Sequence, residues 1–278
     1  MKIKFFCPRW GSEHIEWKTF LTDVKNAGYS GIEWFPFAET FDKEEVFGLL
    51  ADLQLEHAFV MTVTKPFSDA KEYCSLLKED LEQLIGLCPV SRLPLFISAQ
   101  TGREYFSEPE IFTALSVCDG IEQQYGIPIY QETHRNKWSY VAHNVYRALQ
   151  QKEDLKIALD VSHWFCVSES YLNNQQLELA KAIQHTHHIH ARVGHTQGPQ
   201  VFDPAFPEYA EALNAHLNIW DEWMNVRKQK GYAECTITPE FGPPPYLTIG
   251  SRAIDAQKEQ WRLNLWIKQF LQNRFNVL

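Results

Sequence analysis

The feature that most constrains this fold is an alternation of short apolar runs with longer amphipathic segments along the whole chain. Strands that alternate with helices are typical of parallel βαβ units, and eight such units in succession are typical of a closed barrel. The eight predicted strands are Ile3–Cys7, Gly31–Phe35, His57–Val63, Pro94–Ala99, Ile127–Thr133, Lys156–Val161, Thr186–Val193 and Glu234–Glu240.

The segments between these runs carry helix signals. Asp42 begins one helix, with Glu45 as its capping-box partner three residues later. Ser107 and Glu110 repeat this pattern at the start of a helix that Gly126 ends. The other predicted helices run from Ser12 to Gly28, after Ser68, and over Val141–Leu149, Gln175–Ile183, Tyr209–Lys228 and Asp255–Phe270.

The chain shows no linker, low-complexity tract or domain boundary. Its 278 residues suit one barrel of roughly 250 residues. We therefore predict an α/β fold, a single (β/α)₈ TIM barrel domain over residues 1–278.

Two long connections, Gly194 to Pro207 and Phe241 to Ser251, follow the seventh and eighth strands. Loops in that position lie at the catalytic face of such a barrel.

Composition narrows the classes of function. Hydrophobic residues make up 45% and charged residues 22% of the chain, as in ordinary globular proteins. The net charge of −9, without a basic run, disfavours binding to nucleic acid. No apolar run of about 18 residues predicts a membrane helix, and the apolar run near Met1 is too short for a signal peptide. The six scattered cysteines lack a C-x-x-C pair, so we expect a reduced, cytoplasmic protein.

Polar side chains cluster where the last four strands end. Glu132 lies at the end of the fifth strand, Asp160 at the end of the sixth, His190 in the seventh and Glu240 at the end of the eighth. In a barrel, alternate residues of a strand face the interior. Acids gathered at that mouth would repel one another, and a bound cation removes the conflict.

We therefore predict a site for one divalent metal ion, held by Glu132, Asp160, His190 and Glu240. Three carboxylates and one imidazole suit Mn²⁺, Mg²⁺ or Co²⁺, and Zn²⁺ is also compatible with them. The alternative for any one of the acids is that it caps the following helix or pairs with an arginine.

With these residues in this order, the sequence resembles the xylose isomerase-like barrel superfamily over its whole length. That superfamily includes ketose 3-epimerases, hydroxypyruvate isomerases, inosose dehydratases and DNA-repair enzymes of the endonuclease IV type. The resemblance implies that the four residues named above bind the metal and that His163 and Arg192 face the substrate. The motifs are Glu132, Asp160-x-x-His163, His190-x-Arg192 and Glu240.

The function this implies is that of a metal-dependent isomerase or epimerase of a small sugar or sugar-like carbonyl compound. Such a reaction removes a proton beside the carbonyl, and a metal ion can stabilise the enediolate that results. One carboxylate takes the proton and another returns it. The resemblance assigns these catalytic roles to Glu132 and Glu240. A sugar or inosose dehydratase would share the same site chemistry.

Two alternatives come from other classes. A phosphodiesterase or AP endonuclease-like enzyme would need further histidines after the second and third strands. Glu33-Trp34-Phe35-Pro36 and the segment from Met61 to Lys65 contain none. A non-enzymatic sugar-binding protein would not need all four ligands, and all four are present.

Two further residues are candidates for substrate binding. His134 shares a strand face with Glu132, although capping a helix or ordering a loop would also explain it. Trp34 ends the second strand and can line the pocket, although burial is the commoner fate of an aromatic residue. The roles of His195 and Asp203 in the seventh loop remain open. So do the sugar, its phosphorylation, the identity of the metal and association into a homo-oligomer.

Overall fold

The computed structural model describes residues 1–248 and 255–277. Eight parallel strands close into a barrel in chain order, and β1 pairs with β8. The predicted (β/α)₈ barrel is confirmed. The first and last residues of each strand lie within three residues of the predicted ones. The strands are β1 Lys2–Pro8, β2 Gly31–Trp34, β3 Glu56–Met61, β4 Ile97–Ala99, β5 Ile129–Glu132, β6 Ile157–Leu159, β7 Thr186–Ala191 and β8 Glu234–Pro239.

Helices surround the barrel. Two 3₁₀ turns, Pro36–Ala38 and Pro207–Tyr209, accompany them. None of the helices in the described ranges is long and apolar enough to cross a membrane. The α-helices are α1 Trp17–Asn26, α2 Lys43–Asp52, α3 Ala70–Gly86, α4 Glu108–Tyr125, α5 Ala142–Gln151, α6 Val161–Ser168, α7 Gln176–His185, α8 Ala210–Gln229 and α9 Ala256–Val277.

The predicted caps of α2 and α4 are confirmed. The Asp42 side chain accepts a hydrogen bond from the Glu45 N–H at 3.0 Å. Ser107 and Glu110 form the reciprocal capping box of α4, and Gly126 ends that helix with a φ of 70°. Caps of this kind satisfy N–H groups that the first helical turn leaves without partners.

The first helix begins later than Ser12, where we predicted its start. Arg9 explains the difference, because its guanidinium donates to the carbonyl oxygens of Glu13 at 3.2 Å and Ile15 at 2.8 Å. Arg9 also forms a bidentate ion pair with Glu39. These contacts hold the segment before Trp17 as a loop. They depend on tertiary structure, so the local sequence pattern does not predict them.

One helix was absent from the sequence prediction. Helix α6 follows β6 directly, so Val161 begins a helix and does not extend the strand. Asp160 is its N-cap and accepts a hydrogen bond from the Ser162 N–H at 2.9 Å. Val161 is buried, like the strand residues before it, so apolar character alone does not mark where β6 ends.

Aromatic side chains fill the barrel below its mouth. Phe96 stacks on Tyr130 with ring centroids 4.9 Å apart and lies 4.7 Å from the ring of His188. His188 also hydrogen-bonds through Nδ1 to the Thr236 hydroxyl at 2.8 Å. This packed layer forms the floor beneath the residues at the mouth.

The two long connections are where the sequence placed them, after β7 and β8. The predicted loop from Phe241 to Ser251 is described as far as residue 248. Its last three residues lie outside the described ranges.

Gly31 is required where β2 passes β3. A Cβ at this position would lie 2.2 Å from the Glu56 carbonyl oxygen, a backbone atom that cannot move without disturbing the strand pair. We predict that Gly31→Ala lowers the free energy of unfolding by about 1–3 kcal/mol, as overpacking commonly does. Urea denaturation followed by circular dichroism would measure this.

Gly48→Ala is the matched control, because nothing lies within 4 Å of a Cβ added at that position of α2. It should instead raise the free energy of unfolding by about 0.5–1 kcal/mol, the usual gain for Gly to Ala within a helix. Equal effects from the two substitutions would contradict this account of β2.

Candidate metal and active site

Four ionisable side chains meet at the carboxyl-terminal end of the barrel. Glu33 lies in β2, Glu132 ends β5, His190 lies in β7 and Glu240 follows β8. All four are buried, and Glu240 is the most exposed at 9%. Strand alternation directs these positions to the interior, and the mouth is the part of a barrel where polar residues lie.

Three of the four predicted metal ligands converge on one point. The Nδ1 atom of His190 lies 3.7 Å from Oε1 of Glu132 and 3.6 Å from Oε2 of Glu240. The ligand atoms of this trio all lie within 4.8 Å of one another. The arrangement has the size and the donor types of a site for a divalent cation.

Two atoms of this trio lack hydrogen-bond partners among the described residues. They are Nδ1 of His190 and Oε2 of Glu240, and both are buried. A buried polar atom without a partner costs about 1–3 kcal/mol. A metal ion between the two atoms would satisfy both, so the residues present fit such a group.

The opposite side of the His190 ring is occupied by Glu33. The Nε2 atom of His190 lies 3.0 Å from both carboxylate oxygens of Glu33. His188 lies one layer deeper, with its Nε2 atom 3.5 Å from Glu33. Trp34, the neighbour of Glu33, was predicted from the sequence as a candidate pocket residue, whereas no role was predicted for Glu33 itself.

Trp34 lies mainly in the hydrophobic core. It borders the mouth cavity but is only 1% exposed, and it packs against Trp17, Phe41 and Phe59. Since adjacent strand residues face opposite sides, a tryptophan packed toward the helices directs Glu33 to the interior. This alternation, applied to β2, is the signal that would have found Glu33.

Asp160, the fourth predicted ligand, does not join the converging trio in this structure. Its oxygens accept hydrogen bonds from the Ser162 backbone and hydroxyl groups and from the guanidinium of Arg192. Helix capping and arginine pairing, the alternatives to metal binding in the sequence analysis, both describe what Asp160 does here.

Arg192 links Asp160 to the rest of the site. Its Nη2 atom lies 3.6 Å from Oε2 of Glu240 and donates to Nε2 of His163 at 2.8 Å. Its guanidinium lies over the ring of Tyr246, 4.9 Å from the centroid. Arg192 borders the cavity, so the structure places it at the predicted pocket.

The two predicted histidines of this side lie against each other. The rings of His134 and His163 have centroids 4.0 Å apart. His134 borders the cavity, whereas His163 is fully buried beside Arg192. Burial lowers the pKa of His134 to about 4 and holds that of His163 well below its ordinary value. Both rings are therefore neutral near pH 7.

The cavity at the mouth has a volume of about 260 Å³, which suits a small molecule. Its wall combines the acidic residues of the site with aromatic rings. The residues that border it include Trp10, Phe35, Glu33, Glu132, Arg192, Glu240 and Tyr246.

The buried acids and His190 shift one another's protonation. Burial raises the pKa of Glu240 to about 8, against the opposing charges of His190 and Arg192. Burial also acts to raise the pKa of Glu132, but His190 and His134 together bring this pKa below its ordinary value. Burial acts to lower the pKa of His190, yet the surrounding glutamates hold it well above its ordinary value. A proton on His190 thus supplies the positive charge that this group of acids requires.

His195 and Asp203 form contacts that stabilise the long loop after β7. His195 pairs with Gly198 across a tight turn. Asp203 accepts a hydrogen bond from Arg262 of α9 at 2.5 Å. Neither of them is among the described residues that border the mouth cavity.

Comparison with known proteins identifies the fold. No protein-family model matches the chain, and no curated protein matches it. Solved structures do, and they show that the chain has the fold of xylose isomerase-like TIM barrel proteins.

Three of these structures illustrate the range. A probable 3-DHS dehydratase from Bacillus anthracis is 18% identical, with a TM-score of 0.59 over 94% of this chain and 98% of the other. A D-psicose 3-epimerase from Clostridium cellulolyticum H10 is 14% identical, with a TM-score of 0.59 over 98% and 99%. A xylose isomerase-like TIM barrel protein from Mycobacterium smegmatis, in complex with magnesium, is 13% identical, with a TM-score of 0.59 over 97% of each chain.

The buried ion pair between Arg192 and Asp160 predicts a large effect on stability. In metal-free protein, Arg192→Ala should lower the free energy of unfolding by about 3–5 kcal/mol, because the charge of Asp160 stays buried without its partner. Urea denaturation in the presence of a chelator would measure it.

The double variant Asp160→Asn/Arg192→Met is the control, since it removes both charges while roughly keeping side-chain volume. It should be more stable than Arg192→Ala alone. A loss below about 1 kcal/mol in Arg192→Ala would show that this pair does not compensate a buried charge.

Proposed function

We propose that this chain is a divalent-metal-dependent isomerase or epimerase of a small sugar or sugar-like carbonyl compound. The observation that carries the proposal is the convergence of Glu132, His190 and Glu240, with two buried ligand atoms left without hydrogen-bond partners. The trio borders a cavity of small-molecule size through both of its glutamates.

The metal would be held by Glu132, Nδ1 of His190 and Glu240, with Asp160 as the fourth ligand. For Asp160 to join, the oxygen that now accepts from Arg192 would have to exchange that bond for the metal. Oxygen-rich ligands favour Mn²⁺, Mg²⁺ or Co²⁺, with Zn²⁺ also compatible. When bound, such an ion supplies Lewis-acid polarisation of a carbonyl and its neighbouring hydroxyl group.

Glu132 and Glu240 would carry the proton. Both border the cavity, and they come from strands three positions apart around the barrel. One carboxylate would remove the proton from the carbon beside the carbonyl, giving an enediolate. The other would return a proton, either to the neighbouring carbon, which isomerises the substrate, or to the opposite face of the same carbon, which epimerises it.

The remaining residues would orient the substrate. The planar guanidinium of Arg192 can donate to substrate oxygens, and its contacts with the Ser162 hydroxyl and with His163 would hold it in place. His134 and Trp34 border the same cavity and would contribute to its wall. The aromatic residues Trp10, Phe35 and Tyr246 also border the cavity and offer an apolar surface to the carbon skeleton of a sugar.

A dehydratase is the second candidate, because eliminating water from a hydroxy carbonyl compound begins with the same proton removal. The similarity in fold to a probable 3-DHS dehydratase supports this second candidate. The cavity argues against a polyanionic substrate such as DNA. Glu13, Glu33, Glu132 and Glu240 border it, and the arginines that do so, Arg9 and Arg192, are each paired with an acid.

The proposal predicts that Glu132→Gln and Glu240→Gln each reduce kcat by at least about 10²-fold, because each removes a proton carrier while keeping the side-chain shape. The Mn²⁺-loaded protein would first be screened against ketoses, aldoses, inososes and hydroxypyruvate. With the substrate found, solvent deuterium should appear at the carbon beside the carbonyl.

Glu13→Gln makes the same chemical change at another residue that borders the cavity and should reduce kcat far less. Unimpaired turnover in both test variants would remove Glu132 and Glu240 from the mechanism. Turnover without deuterium incorporation would indicate that the hydrogen moves by a hydride shift and not by proton transfer. Loss of water from the substrate would establish the dehydratase.

A further inference from the structure

His190 has two ring nitrogens with different surroundings. Nδ1 faces Glu132 and Glu240, where the metal site is proposed, whereas Nε2 lies 3.0 Å from each oxygen of Glu33. A neutral imidazole carries a hydrogen on only one nitrogen, and the other nitrogen has a lone pair. The partner of Nε2 therefore decides which nitrogen is free to bind a metal.

Glu33 has few other contacts. Within the described ranges, no lysine or arginine forms an ion pair with it, and its charged neighbours are His188 and His190. It is 3% exposed, and burying a carboxylate costs several kcal/mol unless it is paired. The barrel could hold an apolar residue here at lower cost, so the contact with His190 requires an explanation.

We propose that Glu33 is a positioning residue for the metal site. Its carboxylate accepts the Nε2–H of His190, which fixes the tautomer and the angle of the ring and directs the Nδ1 lone pair between Glu132 and Glu240. A carboxylate on the outer nitrogen also makes a histidine a stronger metal donor. This role rests on the proposed metal site and adds a residue of β2 to it.

A second metal ion between Glu33, His188 and His190 is the competing explanation, since these side chains also form a compact group. It would require His190 to lose its Nε2 hydrogen and bridge two ions. It would also leave the deeper ion with three protein ligands and packed aromatic rings beneath it. The hydrogen bond needs none of these changes, so we make the second ion an outcome of the test.

The test compares Mn²⁺ binding by wild type, Glu33→Gln and Glu33→Ala, using metal analysis for stoichiometry and competition with a chelator for affinity. Wild type should bind one ion. Glu33→Ala should bind it about 10–100-fold more weakly, the usual loss when a carboxylate behind a metal-binding histidine is removed. Glu33→Gln keeps the shape and one acceptor oxygen, so its loss should be smaller.

Thr236→Val is the matched control. It removes the partly buried hydrogen bond between Thr236 and His188 while leaving Glu33 intact, so it tests whether any lost polar contact in the barrel weakens the site. Its Mn²⁺ affinity should stay within about twofold of wild type, since it leaves the carboxylate behind His190 unchanged.

Histidine ¹⁵N NMR of the Mg²⁺-loaded protein reads the tautomer directly. Wild type should show a protected Nε2–H on His190 and no hydrogen on Nδ1. That protection should be lost in Glu33→Ala. General damage to packing would not change one histidine signal selectively, and thermal melting of each variant shows which of them are folded.

Each outcome decides the proposal. Unchanged affinity in folded Glu33→Ala, or in Glu33→Gln and Glu33→Asp should the alanine variant not fold, would overturn the positioning role and leave the metal site standing. Two ions in wild type and one in Glu33→Ala would make Glu33 a ligand and overturn it as well. Absence of any metal binding in wild type would overturn the proposed metal site and the role of Glu33 together.

Discussion

Glu33, Glu132 and Glu240 are buried around one imidazole at the mouth of the barrel, and the rest of the site is arranged around their mutual repulsion. Like charges at this spacing raise one another's pKa values and oppose ionisation. Without a metal, the guanidinium of Arg192 lies close to Glu240, and the raised pKa values of His190 and Glu240 favour proton binding, which reduces the net negative charge. A divalent ion would relieve this repulsion better, because it would also coordinate the two ligand atoms that lack hydrogen-bond partners, Nδ1 of His190 and Oε2 of Glu240.

The barrel makes this concentration of charge tolerable. Aromatic rings and His188 fill the interior below, so the acids meet only where strands end and loops begin. Each acid comes from a different strand, and their positions are fixed by backbone pairing between neighbouring strands. Such rigid placement lets a site hold unpaired polar atoms at a defined separation and exclude water from them.

Much of this was predictable from the sequence. Eight alternating units fixed the architecture, and strand alternation placed Glu132, His190 and Glu240 on one side of the sheet. No role for Glu33 was predicted, because Trp34 beside it was an equally plausible pocket residue. Packing of Trp34 against Trp17 and Phe41 decides between them, and that contact joins distant segments. Asp160 was predicted as a metal ligand, but its role could not be decided from the sequence, since the same carboxylate can cap a helix, pair with Arg192 or bind a metal. A short motif is compatible with all three roles.

The central claim is that one divalent ion binds between Glu132, Nδ1 of His190 and Glu240. The most direct measurement is a crystal structure of the Mn²⁺-loaded protein with anomalous diffraction that locates the ion. The account predicts one anomalous peak in contact with these three side chains, with Glu33 still bonded to Nε2 of His190. A peak on the side of Glu33 and His188, or no peak at the barrel mouth in Mn²⁺-saturated crystals, would contradict it.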